Sequence, residues 1–237
     1  MEKAYKNIVY FFLIIIAITL MGFSKTYFVH FPDFIGIKTI HHIHAFTLVL
    51  WFAMLIVQPI LIQQHKYDWH RLIGKFSYIL VPIIFILMLM VYKNQYSRQE
   101  SMGISHAENL SVMFIPFTDT YPFVIYYILA IINKKNIAKH LRYMISTSVI
   151  LLSPGLTRIF IFWFGMDFMD TVTPVSVVML VVFAGLILYD RSLGKSIKKN
   201  PFTIALTIIL IPTILMRFVP NTVLWHSIAE AYVKIIP

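Results

Sequence analysis

The chain contains no cysteine, and only 13% of its 237 residues are charged. The absence of thiols excludes disulfides, iron–sulfur clusters, covalently attached haem and thiolate zinc sites. A soluble domain is about a quarter charged and a little under half apolar, whereas 59% of this sequence is hydrophobic. The composition therefore argues against an ordinary soluble domain and favours a membrane protein.

Acidic residues are scarce as well, at 10 against 20 lysines and arginines, which gives a formal net charge of +10. In a soluble protein this excess would suggest nucleic acid. Here the basic residues occupy short loops between apolar runs, so we expect the lipid bilayer and its anionic headgroups as partners and no nucleic acid. The sequence has no P-loop, G-x-S-x-G, Rossmann or H-E-x-x-H motif, and leaves open whether the protein is an enzyme.

Seven apolar runs are long enough to cross about 30 Å of hydrocarbon. They are Asn7–Phe23, Thr39–Ile62, Leu72–Tyr92, Leu110–Ile132, Tyr143–Phe164, Pro174–Tyr189 and Phe202–Val219. Helices are favoured because an α-helix satisfies its own backbone hydrogen bonds in lipid. The sequence therefore predicts an all-α fold, with residues 1–237 forming a single integral membrane bundle of seven transmembrane helices. Within the fifth run, Ser153-Pro154-Gly155 predicts a helix break.

The basic residues divide unequally between the two ends of the predicted bundle. Of the 20 lysines and arginines, 13 fall at the amino terminus and in the second, fourth and sixth loops, 6 fall at the other end, and Arg158 lies inside a run. This bias predicts a cytoplasmic amino terminus and an outer carboxy terminus in a bacterial inner membrane. Residues 221–236 predict an interfacial helix on the outer surface.

Histidines concentrate at the predicted outer face, where imidazole can bind a metal ion or carry protons. His41 and His44 share one helical face, and His106 and Glu108 lie at the mouth of the fourth run. Together they predict a mixed nitrogen and oxygen site for a divalent metal ion. The alternatives are a proton relay and plain interfacial placement.

One stripe of polar and aromatic residues runs through the second span. His44, Trp51 and Gln58 follow one another at intervals of seven residues, so they lie on one side of a helix. Histidine and glutamine are costly against lipid, so we expect this stripe to face the interior of the bundle.

Asp119 and Arg158 lie inside the fourth and fifth runs, at matched depths of about 9–14 Å below the outer boundary. An unpaired charge at that depth costs several kcal/mol, so we predict that the two side chains pair. The pair could be a salt bridge that locks the two helices together, or part of a substrate or proton site.

At the cytoplasmic face, Asp68 and Asn136 are predicted N-caps of the third and fifth spans. Arg71 and Arg142 follow in the first turns, where arginine and free amides favour phosphate, so we predict anionic lipid headgroups as ligands. The alternative is a haem bound between His70 and His140.

The motif order H-x-H, Gln58-Pro59, His70-Arg71-x-x-Gly74-x-x-x-Tyr78 and His140-x-Arg142-x-Met144 resembles a bacterial family of uncharacterised multi-pass membrane proteins, a domain of unknown function. The resemblance covers about Thr39 to Arg158 and implies no reaction. The chain is more loosely similar to dihaem transmembrane b-type cytochromes. That similarity implies haem b between His44 and His106 at the outer face and between His70 and His140 at the inner face.

Three functions therefore remain open from the sequence. The first is a protein that binds a metal ion or haem through its outer histidines. The second is a proton-coupled transporter or small-molecule binding bundle that uses Asp119 and Arg158. The third is an accessory subunit that binds another membrane protein.

Overall fold

The computed structural model describes residue 2 and residues 5–236, and every regular element within them is a helix. In chain order the α-helices are α1 Ile8–Ser24, α2 Thr39–Gln63, α3 Tyr67–Ser101, α4 His106–Val112, α5 Phe114–Ile132, α6 Ile137–Ile150, α7 Leu152–Phe164, α8 Phe168–Ser192, α9 Pro201–Leu215 and α10 Val223–Ile235. The predicted all-α fold is confirmed for this part of the chain.

Five helical segments are long and apolar enough to cross a membrane: α2, α3, α8 and the near-continuous pairs α4–α5 and α6–α7. The shorter apolar helices α1 and α9 have 17 and 15 residues. At 1.5 Å per residue they reach about 25 and 23 Å, less than the roughly 30 Å of a hydrocarbon core. They coincide with the first and seventh predicted spans, so five of the seven meet the criteria for a span.

Two of the spanning segments are broken next to a proline. α6 ends at Ile150 and α7 begins at Leu152, while α4 ends at Val112 and α5 begins at Phe114. Pro154 and Pro116 are the third residues of α7 and α5. A proline has no N–H to donate, and its ring clashes with the carbonyl four residues earlier. The chain is therefore interrupted at Leu151, two residues before the predicted Ser153-Pro154-Gly155, which are helical within α7.

The α6–α7 pair forms the centre of the bundle. In its most apolar stretch 67% of the residues are buried, against 22–39% in the other four segments. It packs against α1, α5, α8 and α9. Large apolar side chains on the other helices point outward, among them Val49, Ile79, Ile86, Val181 and Leu188. This apolar outer surface is compatible with a multi-pass membrane protein.

Successive connections between the spanning segments lie at alternate ends of the bundle. The basic face consists of residue 2, residues 5–7 and the loops 64–66, 133–136 and 193–200, and the opposite face consists of the loops 25–38, 102–105, 165–167 and 216–222.

One of the two predicted helix caps at the basic face is present. The Asn136 side chain caps α6 by accepting from the Lys139 amide at 3.1 Å, as predicted. Asp68 is not a cap: it lies in the first turn of α3, 2.5 Å from the guanidinium of Arg71.

The predicted carboxy-terminal helix is present as α10. Thr222 caps it, and Trp225 anchors it to α4 by donating its indole N–H to the Leu110 carbonyl at 2.8 Å. The same ring packs edge-on against Phe114 and Phe117 of α5. α10 is thus held on the opposite face by one buried aromatic anchor.

Candidate functional site

A cavity lies between α5, α7, α8 and α9, in the half of the bundle nearer the opposite face. Its volume is ≈ 60 Å³, which is room for about four water molecules or one small solute. The polar residues that line it are Thr118, Asp119, Ser153, Thr157, Thr171, Ser176 and Thr213. An apolar helical bundle therefore contains a cavity whose polar lining is six hydroxyls and one carboxylate.

Several of these hydroxyls already donate their proton to their own helix. Thr118 donates to the Ile115 carbonyl at 2.7 Å, Thr171 to Phe168 at 2.6 Å, and Thr213 to Ile209 at 2.8 Å. A hydroxyl has one proton and two lone pairs, so each of these oxygens can only accept a further hydrogen bond.

The break between α6 and α7 places Ser153 beside the cavity. Asp119 of α5 interacts with the Ser153 hydroxyl. The carboxylate is half-buried, and the lining residues include no lysine, arginine or histidine. The helix break and the buried acid therefore meet at one wall of the cavity.

Asp119 and Arg158 do not form the predicted ion pair. Arg158 donates from Nη1 to the Pro154 carbonyl at 2.9 Å, and its guanidinium lies 4.2 Å from the centre of the Phe23 ring. Ser153 and Arg158 are five residues apart, which places them about 140° apart around α7. Asp119 thus faces one side of α7 and Arg158 another. None of the ion pairs among the described residues joins them.

Tyr92 of α3 is a neighbour of both charges. It interacts electrostatically with both Asp119 and Arg158, and its hydroxyl accepts a hydrogen bond from Thr120 at 2.9 Å. His44 is also within electrostatic range of Arg158. The predicted site residues therefore share a polar neighbourhood although the predicted salt bridge is absent.

The α2 stripe faces inward. Trp51 is 0% exposed and packs edge-on against Phe123 and Tyr127 of α5. Its indole Nε1, the Nδ1 of His44 and the Oε1 of Gln58 are buried without a protein partner. An unpaired buried polar atom costs about 1–3 kcal/mol, so these three atoms favour contact with internal water or a bound group.

The predicted metal ligands lie on different sides of α3. His41 Nε2 is 3.4 Å from Asn94 Nδ2, and His106 Nδ1 is 2.6 Å from the Tyr96 hydroxyl. Asn94 and Tyr96 are two residues apart, about 200° around the helix. Among the described residues no group of three or more histidine or acidic side chains could hold a metal ion. The predicted four-ligand site is therefore not assembled.

His106 instead belongs to an exposed cluster beneath α10. Its Nδ1 lies 3.7 Å from Glu100 and its Nε2 lies 3.6 Å from Glu230. Glu108 is exposed in the first turn of α4, next to the capping Ser105. These contacts join α3, α4 and α10 at the opposite face.

His70 and His140 lie within electrostatic range of one another near the basic face. His140 donates from Nδ1 to the Ala130 carbonyl at 2.9 Å. The Nδ1 of His70 is buried without a partner, and its backbone carbonyl accepts from Gln58 at 3.2 Å. Neither described cavity is lined by a histidine, so haem at this pair stays a prediction.

Arg142, predicted to bind a lipid headgroup, is buried at the basic face with 2% exposure. Its Nε and Nη2 donate to the two Asp190 oxygens at 2.6 and 2.7 Å, and Nη1 donates to Glu2 at 2.9 Å and to the Ala138 carbonyl at 2.9 Å. The guanidinium is occupied on all sides, so the headgroup prediction is wrong for Arg142. Arg71 is 69% exposed and remains accessible.

Two further side chains complete this Arg142 network. Tyr5 donates to Asp190 at 2.7 Å and Asn200 donates to it at 2.7 Å, so the network joins the start of α1, α6, the end of α8 and the start of α9. The hydrogen bonds from Arg142 hold the pKa of the Glu2 carboxyl below its usual range. The network therefore holds four chain segments together at the basic face.

The sequence reasoning missed Asp190 and the cavity hydroxyls. Asp190 directly follows the predicted sixth run, and a lone acid at the end of an apolar run is a signal that a basic partner is needed. The hydroxyls carry no such signal, because threonine and serine are common in membrane helices and bond to their own backbone.

Comparison with family models, with curated proteins and with solved structures gives no match for this chain. The resemblance to the uncharacterised membrane family therefore stays a prediction.

Proposed function

We propose that this protein binds a small polar solute in the Asp119 cavity and carries it across a membrane. The observation that supports this most directly is the cavity itself, because a carboxylate and six hydroxyls line a space inside an otherwise apolar bundle. Polar groups in membrane helices are costly, and they commonly mark the path of a substrate or an ion.

The helix break next to the cavity supports transport rather than structural support alone. Transporters typically bind their substrate near mid-membrane, where a helix is interrupted and its backbone groups become available. Here α7 begins at Leu152 and contributes Ser153 and Thr157 to the lining. The Arg142 network joins chain segments at the basic face, whereas the cavity lies in the half of the bundle nearer the opposite face.

The proposal includes the membrane arrangement. α1 and α9 serve as the remaining two of seven spans, and the basic face lies in the cytoplasm of a bacterial cell, as the excess of lysine and arginine there favours. The metal or haem function has less support, because the outer histidines are spread over several helices. The function as an accessory subunit stays a prediction.

A swelling assay tests the proposal. Proteoliposomes are placed in hyperosmotic urea, glycerol, glycine or methylammonium chloride, and volume recovery is followed by light scattering. We expect recovery at least about tenfold faster than in empty liposomes for one of these solutes. Ser176→Phe should abolish the gain, because Ser176 lines the cavity and a phenyl ring would fill it.

Val177→Phe is the matched control. Val177 is the next residue of α8 and is 51% exposed, so a larger side chain there meets the surroundings and not the cavity. The Val177→Phe variant should recover like the wild type. Equal loss in both variants, or no solute faster than in empty liposomes, would contradict transport through this cavity.

A further inference from the structure

We propose that the solute of the Asp119 cavity is a small monovalent cation, of the ammonium or alkali type. This inference rests on the proposed function and adds the ligand class. Its first support is the composition of the lining, in which every nitrogen or oxygen side chain is a hydroxyl or a carboxylate. Such oxygens suit hard cations and N–H donors, not anions.

The second support is the direction of the hydrogen bonds. The hydroxyls of Thr118, Thr171 and Thr213 each donate a hydrogen bond to a backbone carbonyl of their own helix. Their oxygens therefore present only lone pairs to the cavity. The Ser153 hydroxyl interacts with the Asp119 carboxylate, which accepts and does not donate when ionised. A ligand in this space meets at least these four acceptors, which favour a ligand with N–H donors or positive charge.

The third support is the absence of a fixed cation beside Asp119. No lysine, arginine or histidine among the described residues forms an ion pair with it. Arg158, the predicted partner, is turned toward Phe23, with its guanidinium 4.2 Å from the ring centre. An ionised carboxylate inside a bundle is costly without a positive partner, and a mobile cation supplies one.

The size of the cavity and the acids next to it in the chain favour a small cation. A volume of ≈ 60 Å³ has room for a few water molecules, and so for ammonium or methylammonium. Choline is bulkier, and its quaternary nitrogen has no N–H to donate to the lining oxygens. Phe168 and Thr171 of the lining lie at the start of α8, next to the exposed carboxylates of Asp170 in the first turn and of Asp167 just before the helix. Arg217, in the loop after α9, follows the lining residue Met216 in sequence. Two acids and one base therefore adjoin lining residues along the chain at this end of the bundle.

Thermal unfolding of the purified full chain tests the ligand class without requiring transport. The protein is heated in detergent with sodium, ammonium, methylammonium or choline chloride at equal ionic strength. A ligand that binds only the folded state raises the unfolding temperature in proportion to the logarithm of its concentration. We expect such a rise with at least one of the three small cations and none with choline.

Two substitutions test whether the cation that raises the unfolding temperature binds in the cavity. Asp119→Asn should weaken cation binding by at least about 100-fold, because the isosteric amide removes the charge. Thr213→Val should weaken it roughly tenfold, because one acceptor is lost. Thr207→Val is the control: Thr207 lies on the same helix, makes the same type of backbone bond at 3.0 Å, and is exposed outside the cavity. It should leave binding unchanged.

The outcomes separate this inference from the proposed function. Faster swelling in urea or glycerol that Ser176→Phe abolishes, with no effect of any small cation, would overturn the cation class and leave transport standing. Cation binding that Asp119→Asn removes, without entry of any solute, would support the ligand class and contradict transport. Stabilisation that is equal with choline, or that persists in Asp119→Asn, would overturn the inference.

Discussion

Replacing Arg142 by methionine is expected to lower the free energy of unfolding by about 3–5 kcal/mol, because it leaves a buried carboxylate without its cation. Asp190 is 0% exposed, and both of its carboxylate oxygens accept a hydrogen bond from this guanidinium, at 2.6 and 2.7 Å. The loss should appear as earlier unfolding of the detergent-solubilised protein in a denaturant titration followed by circular dichroism.

Arg71→Met is the matched control for this prediction. Arg71 also lies near the start of a helix and also pairs with an aspartate, at 2.5 Å from Asp68, but its side chain is 69% exposed. An exposed ion pair contributes little, so the loss should stay within about 0.5 kcal/mol. The double variant Arg142→Met, Asp190→Leu should recover part of the loss, since two apolar groups replace two charges. Similar losses in the two single variants would contradict the buried network.

The features that the sequence predicted best are those that depend on residues close together in the chain. Apolar runs, the helix break in the turn before Pro154 and the Asn136 cap are local, because a helix is defined by bonds over four residues and a proline acts on the preceding turn. The inward orientation expected for Trp51 and Gln58 follows from the cost of polar groups in lipid, and Trp51 is indeed fully buried.

The features that the sequence could not predict depend on which side of a helix a residue faces. Matched depth suggested that Asp119 and Arg158 would meet, but depth does not fix rotation, and Arg158 turns toward Phe23 of α1. For the same reason His41 and His106 occupy different sides of α3. The partners of Arg142 lie 140 and 48 residues away in sequence, so only the assembled bundle reveals them.

The close crossing of α1 and α7 leads to the second large effect. Gly22→Ala is expected to lower the free energy of unfolding by about 1–3 kcal/mol, because overpacking forces the backbone to shift. A Cβ at Gly22 would lie 2.2 Å from the carbonyl oxygen of Gly155, far inside van der Waals contact. The obstacle is backbone and cannot rotate away, so α1 as a whole must move. Denaturant unfolding in detergent measures the loss.

Gly185→Ala separates this clash from the general effect of replacing a helical glycine. A Cβ at Gly185 of α8 would meet no atom within 4 Å. Alanine loses less conformational entropy than glycine in a helix, so this variant should be unchanged or more stable by about 0.5–1 kcal/mol. If both variants unfold alike, α1 and α7 do not cross at these glycines. If only Gly22→Ala is destabilised, α1 is packed against the α7 segment that also contributes Ser153 and Thr157 to the cavity.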